Sequence, residues 1–153
     1  MGVIGVLSLL LAAPAPPGSN TCPVTVVEHV KPFAAPSPSN AARFWYGSED
    51  LAVRLRTGGT WTGMGPAKRY RDKLFWWRKG FDGTREASPE LNVTGRRLDG
   101  DSPPAVFSRA TNALHSDFGG WAMLDMGEFP AAGCWELTGA YQGKTLRFVV
   151  RVE

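Results

Sequence analysis

The closing stretch Gly133–Glu153, GCWELTGAYQGKTLRFVVRVE, admits few folds. Leu146, Phe148, Val150 and Val152 fall on one side of a period-two alternation, with Arg147 and Arg151 on the other. Successive side chains of a strand point to opposite faces, so this pattern predicts a half-buried strand. Trp135 and Leu137 form a second alternating run, and Tyr141-Gln142-Gly143-Lys144 supplies the turn between the two. A hairpin with one apolar face is not stable alone, and a second sheet must cover it.

The rest of the chain offers strands for that sheet and little helix. With 18 glycines and 12 prolines among 153 residues, no stretch keeps apolar residues at helical spacing through three turns. The class expected is all-β, in one domain. Candidate strands are Cys22–Val30, Phe44–Gly47, Leu51–Arg56, the centre of Lys68–Lys79, Glu90–Leu98 and Trp121–Met126. Leu51, Val53 and Leu55 are expected inward with Arg54 and Arg56 outward, and Gly95 reads as a bulge. Phe107–Phe118 is ambiguous. Lys31–Ala42, Thr57–Pro66, Asp99–Pro104 and Gly127–Gly133 read as loops. Seven to nine short strands predict an immunoglobulin-like antiparallel sandwich, with a small closed β-barrel as the runner-up.

Met1–Ala13, MGVIGVLSLLLAA, is too short for a spanning helix and matches the apolar core of a signal peptide. Ala13-Pro14-Ala15 offers small residues for cleavage, although no lysine or arginine precedes the apolar run. The expected organisation is a signal peptide and leader over residues 1–21 and a single domain over 22–153. The bland alternative is an N-terminal apolar strand. Export makes Cys22 and Cys134 a disulfide in the simplest reading. Lipidation of Cys22 is the rival, opposed by Thr21 and Ser19 where such signals carry a small and an apolar residue. Closing so long a loop removes on the order of 4–5 kcal/mol of unfolded-state freedom in the chain-entropy model. Cys134 has the opposite strand parity to Trp135 and Leu137, so the bridge should pin the N-terminus to the outer side of the hairpin.

Pro130, Gly133, Trp135, Leu137 and Thr138 resemble the segment that enters the penultimate strand of bacterial immunoglobulin-like domains. The set CPVT at Cys22, FWYG at Phe44, KLFWWR at Lys73, RRLDG at Arg96 and GCWELTG at Gly133 is similar to a group of small exported bacterial proteins of unassigned function. That resemblance implies a sandwich and a paired cysteine, and it carries over no catalytic residue.

Reactive chemistry is thinly represented. His115-Ser116-Asp117 has triad residue types, but contiguous residues cannot adopt triad geometry. Asp99 and Asp101 fall short of the oxygens calcium needs. His29, His115, Met64, Met123 and Met126 are copper-compatible ligand types, yet Met123 and Met126 point to opposite strand faces. The cysteines do not form a Cys-x-x-Cys redox pair. Asn92-Val93-Thr94 spells a glycosylation sequon, and the resemblance to bacterial proteins argues against its modification.

The most suggestive surface feature is basic and aromatic. Lys68, Arg69, Arg71, Lys73, Arg78 and Lys79 interleave with Tyr70, Phe75, Trp76 and Trp77. Stacking platforms beside cations suit sugars, single-stranded nucleic acid or an acidic partner. The competing reading puts one tryptophan in the core and the other under a neighbouring loop. A net charge of +3 is too small to argue for nucleic acid or a membrane surface. The expectation is therefore a secreted or cell-envelope, non-enzymatic binding or structural module without cofactor or metal, with an unknown protein or glycan partner, no nucleic acid and no stable membrane span after signal removal. The alternatives are a recognition module centred on Tyr70, Trp76, Trp77 and Arg78, and a small metal-handling or hydrolytic protein.

Overall fold

A computed structural model of the chain describes residues 21–29, 33–36, 42–62, 70–116 and 119–153. The signal-peptide expectation, Lys68, Arg69, Met64 and Asp117 lie outside them. Ten strands occur among the described residues: β1 Arg43–Gly47, β2 Ala52–Arg56, β3 Thr60–Trp61, β4 Tyr70–Trp77, β5 Asn92–Arg97, β6 Val106–Phe107, β7 Thr111–His115, β8 Gly120–Phe129, β9 Gly133–Tyr141 and β10 Lys144–Val152. One sheet runs β1-β2-β4-β8, with β6 and β7 sharing the far side of β8; the other runs β3-β10-β9-β5. The two stack as an all-β sandwich and do not close into a barrel. If β2, β4, β8 and β7 are lettered A, B, E and D, and β5, β9 and β10 are lettered C, F and G, the sheets contain the ABED and CFG order of the immunoglobulin arrangement, with β1, β3 and β6 as additions.

The terminal hairpin forms as its alternation dictates. Gln142 and Gly143 both take positive φ, 47° and 76°, which gives the two-residue turn the twist that suits flanking strands. Register then runs unbroken from Lys144↔Tyr141 to Val152↔Gly133. Phe148, Val150, Val152, Trp135 and Leu137 all enter the core. Trp76 crosses from the opposite sheet to meet Phe148 edge-on at 5.7 Å, and Phe129 meets Trp135 at 5.3 Å. Offset and edge-to-face ring pairs contribute about 0.5–1.5 kcal/mol beyond the area they bury. The Trp76 ring lies so close to Gly139 that a Cβ there would approach it to 2.2 Å, so β9 carries glycine at the crossing point.

Cys22 and Cys134 are disulfide-bonded, 112 residues apart, with Cα atoms 5.4 Å apart. Cys134 stands opposite Arg151, on the outer face of the hairpin. Cys22 Sγ lies 3.8 Å from the Val150 carbonyl oxygen, so the bridge arches over β10.

Several local expectations are corrected. The described part of the first predicted strand, residues 22–29 of Cys22–Val30, forms no strand. Within its described residues only Thr25 pairs with the sheet, donating its N–H to Val149 O at 2.8 Å while its hydroxyl accepts the Val149 N–H at 3.0 Å. The chain then turns into a short 3₁₀ segment, Val27–His29. In the Gly-rich loop, Thr60–Trp61 runs parallel to β10 and sinks Trp61 into the core, because the edge of β10 offers free backbone partners there. Gly95 is no bulge, since register holds from Asn92↔Ala140 to Arg97↔Trp135. It serves close approach instead: a Cβ would meet Leu137 at 2.7 Å and Ala105 at 3.0 Å. The bulge lies between β6 and β7, where four steps from Phe107 to Thr111 face three from Gly127 to Leu124. Finally, β8 continues to Phe129, and Arg54 is buried despite its outward parity, because Trp45 beside it and Trp77 leave little open water on that part of the outer face.

Candidate functional site

The alternation along β4 separates the residues of the basic, aromatic stripe. Tyr70, Asp72, Leu74 and Trp76 share the inner parity; Arg71, Lys73, Phe75 and Trp77 take the outer one. Tyr70 is half-buried against the core and Trp76 is wholly inside it. Trp77 is half-buried on the outer face, its ring 6.4 Å from Trp45 and 6.4 Å from Phe33 of the N-terminal segment. Arg78 reaches the hairpin tip, where Nη1 donates to Gln142 Oε1. Tyr70 and Arg78 stand at opposite ends of a strand roughly 25 Å long. The four residues therefore do not form one surface, and Trp76 is not available to a ligand in the folded state. Cations of the stripe are also drawn into pairs, Arg71 with Glu128 at 2.9 Å and Lys79 with Glu49 at 2.9 Å.

Other marked residues have structural occupations. His115 packs edge-on against Phe75 at 5.0 Å. Asp99 Oδ1 accepts from Arg97 Nε at 2.7 Å, which holds its carboxyl below the usual range. Met123 is in the core while Met126 is on the outer face. Among the described residues no group of three or more His, Cys, Asp or Glu is placed to hold a metal ion.

A concave site lies elsewhere, at the end of the sandwich where the β1–β2 turn approaches the tip of the terminal hairpin. The groove has a volume of about 380 Å³, within the size range of small-molecule sites. It is lined by His29 of the 3₁₀ segment, Tyr46, Gly47, Ser48, Asp50 and Leu51 of the turn, and Lys144, Thr145 and Leu146 at the start of β10. Its turn is over-determined. Gly47 has φ 129°, and a Cβ there would strike Leu51 O at 2.3 Å. Ser48 N–H donates to Leu51 O at 3.0 Å, and Ser48 Oγ accepts the Asp50 N–H at 3.2 Å. Lys144 Nζ and Asp50 Oδ2 close an ion pair at 3.0 Å across the groove.

On the other flank of the hairpin tip a smaller cleft of about 210 Å³ carries a chain of polar contacts. Arg78 donates to Gln142, Gln142 Nε2 to Tyr141 Oη at 3.0 Å, and Tyr141 Oη to Glu86 Oε2 at 2.6 Å. Burial, and then the hydrogen bond to Glu86, push the Tyr141 phenol well above its ordinary value. Tyr141 is thus a fixed donor and no source of phenolate.

One further titratable group stands apart. Asp125 has the same inward parity as Met123 on β8 and is 2% exposed. Its Oδ1 accepts from Trp76 Nε1 at 3.4 Å, and Oδ2 has no hydrogen-bond partner among the described residues. Burial raises its pKa from 3.8 to about 7. Sequence alternation carried a signal for it, since Trp121, Met123 and Asp125 share a face. The groove carried none, because its wall joins segments from three distant parts of the chain.

Comparison with known proteins finds no matching family model, curated protein or solved structure.

Proposed function

We propose that this chain is an exported, non-enzymatic recognition module of the cell envelope that holds its ligand in the groove between the β1–β2 turn and the hairpin tip. The observation that carries this reading is the groove itself: an open hollow of about 380 Å³ whose turn is held by the Ser48 contacts, with the exposed Lys144–Asp50 pair across it. Preformed concavity lowers the ordering cost of binding. The Cys22–Cys134 bridge supports the compartment, because such bonds persist where thiols are not kept reduced. No helix among the described residues is long and apolar enough to cross a membrane.

The test is a backbone-amide NMR titration of the oxidised protein with glycan fragments and peptides prepared from bacterial envelopes. Saturable shifts confined to residues 46–51 and 144–146, lost in a Lys144→Ala/Ser48→Ala double variant that stays folded, are the expected result. Shifts clustered elsewhere, or none with either material, would remove the recognition reading.

A further inference from the structure

Resting on the groove reading above, we infer that the ligand class is a neutral saccharide, held with one sugar face against the Tyr46 ring. The groove presents no uncompensated charge from its turn and strand residues, because its acid and its lysine are spent on each other at 3.0 Å. An anionic ligand would have to displace Asp50 from Lys144, and a cationic one would have to do the reverse. Either exchange returns little, since exposed ion pairs are weak to begin with.

What remains is an apolar floor with a rim of hydroxyl chemistry. Leu51 is 3% exposed and Leu146 is half-buried. Tyr46 is half-buried and packs on the core, so its ring is held in place before any ligand arrives. Around them stand the hydroxyls of Ser48 and Thr145 and the imidazole of His29, whose Nδ1 already accepts the Val26 N–H at 3.4 Å. Hydroxyl groups both donate and accept. A pyranose has the complementary form: a patch of C–H bonds on one face, and an equatorial fringe of hydroxyls that likewise donate and accept. An extended peptide is less well matched. A peptide recognised as a strand would instead add along the outer side of β1, the last strand of its sheet, rather than lie in this hollow.

The experiment uses the full-length oxidised protein, with amide shifts at residues 46–51 and 144–146 as readout. The probes are maltotriose, cellotriose and chitotriose as neutral sugars, trigalacturonate as an acidic one, and a set of acidic, basic and neutral pentapeptides. Saturable shifts with at least one neutral trisaccharide, weakened about tenfold in Tyr46→Ala and retained in Tyr46→Phe, are expected. A Thr145→Ala variant, which removes an exposed groove hydroxyl and leaves the turn contacts in place, should weaken binding as well and serves where Tyr46→Ala does not fold. If only trigalacturonate or the pentapeptides shift these amides, the saccharide inference falls and the groove reading survives. If no probe shifts them, both fall.

Discussion

Trp76 donates its indole Nε1 hydrogen to Asp125 Oδ1 at 3.4 Å, joining β4 to β8 inside the core of the sandwich. The contact satisfies the indole and half of the carboxyl. The remaining oxygen is buried without a hydrogen-bond partner among the described residues, so ionisation of Asp125 inside the fold is costly.

A stability change with pH follows. The folded value, about 7, lies above the ordinary 3.8, so the native state holds the proton more tightly than the unfolded chain. This group's contribution is fully present below about pH 4, declines as pH rises, and is gone above about pH 7. At about 1.4 kcal/mol per unit the span is a few kcal/mol. Denaturant midpoints for the native chain and Asp125→Asn, measured from pH 4 to 8.5, should differ by an amount that changes across this window and is level above it. A constant difference would mean that Asp125 does not titrate there.

Replacing both cysteines by alanine should lower stability by about 4 kcal/mol, because the bridge closes a loop of 112 residues. The loss should be accompanied by faster hydrogen exchange at Val149, whose N–H is held by Thr25 in the strap that the bridge anchors. Denaturation and exchange of the oxidised protein and the variant check both parts. Unchanged protection at Val149 would show that the strap docks without the bond.

Trp76→Ala and Trp77→Ala should part company. Trp76 is wholly buried and its removal should cost about 3–5 kcal/mol. Trp77 lies on the outer face beside Trp45 and Phe33, so its removal should cost about 1–2 kcal/mol. Urea unfolding of the two variants measures this, and equal losses would contradict the placement of the two rings.

Gly139→Ala and Gly143→Ala test two different reasons for glycine. The first would drive a methyl into the Trp76 ring and should cost about 1–3 kcal/mol, with disturbance of Trp76 fluorescence. The second meets no atom within 4 Å, and only its φ of 76° opposes it, at about 1 kcal/mol. Fluorescence of the second variant should match that of the native chain.

Strand parity was legible wherever alternation was clean. The pattern in Leu146–Val152 specified the hairpin, its inward residues and the outer position of Cys134, because side-chain direction in a strand depends only on the residue's place in the count. The same rule separated Trp76 from Trp77. It failed at Arg54, whose outward parity is real but whose outer face is occupied by tryptophan rings. It failed too at Cys22–His29, where a valine-rich segment meets the sheet through the Cys22 disulfide and the Thr25 backbone pair and ends in a 3₁₀ turn.

From its own order of residues, then, this chain determined its class, its terminal ribbon and the faces of its clearest strands, since local periodicity needs no knowledge of distant partners. Only the tertiary structure decided which tryptophan is enclosed, where a lone carboxyl loses its water, and that His29, Tyr46 and Lys144 border one hollow. Those outcomes depend on which segments meet across the two layers, and contact between residues a hundred positions apart leaves no trace in either one's immediate neighbours.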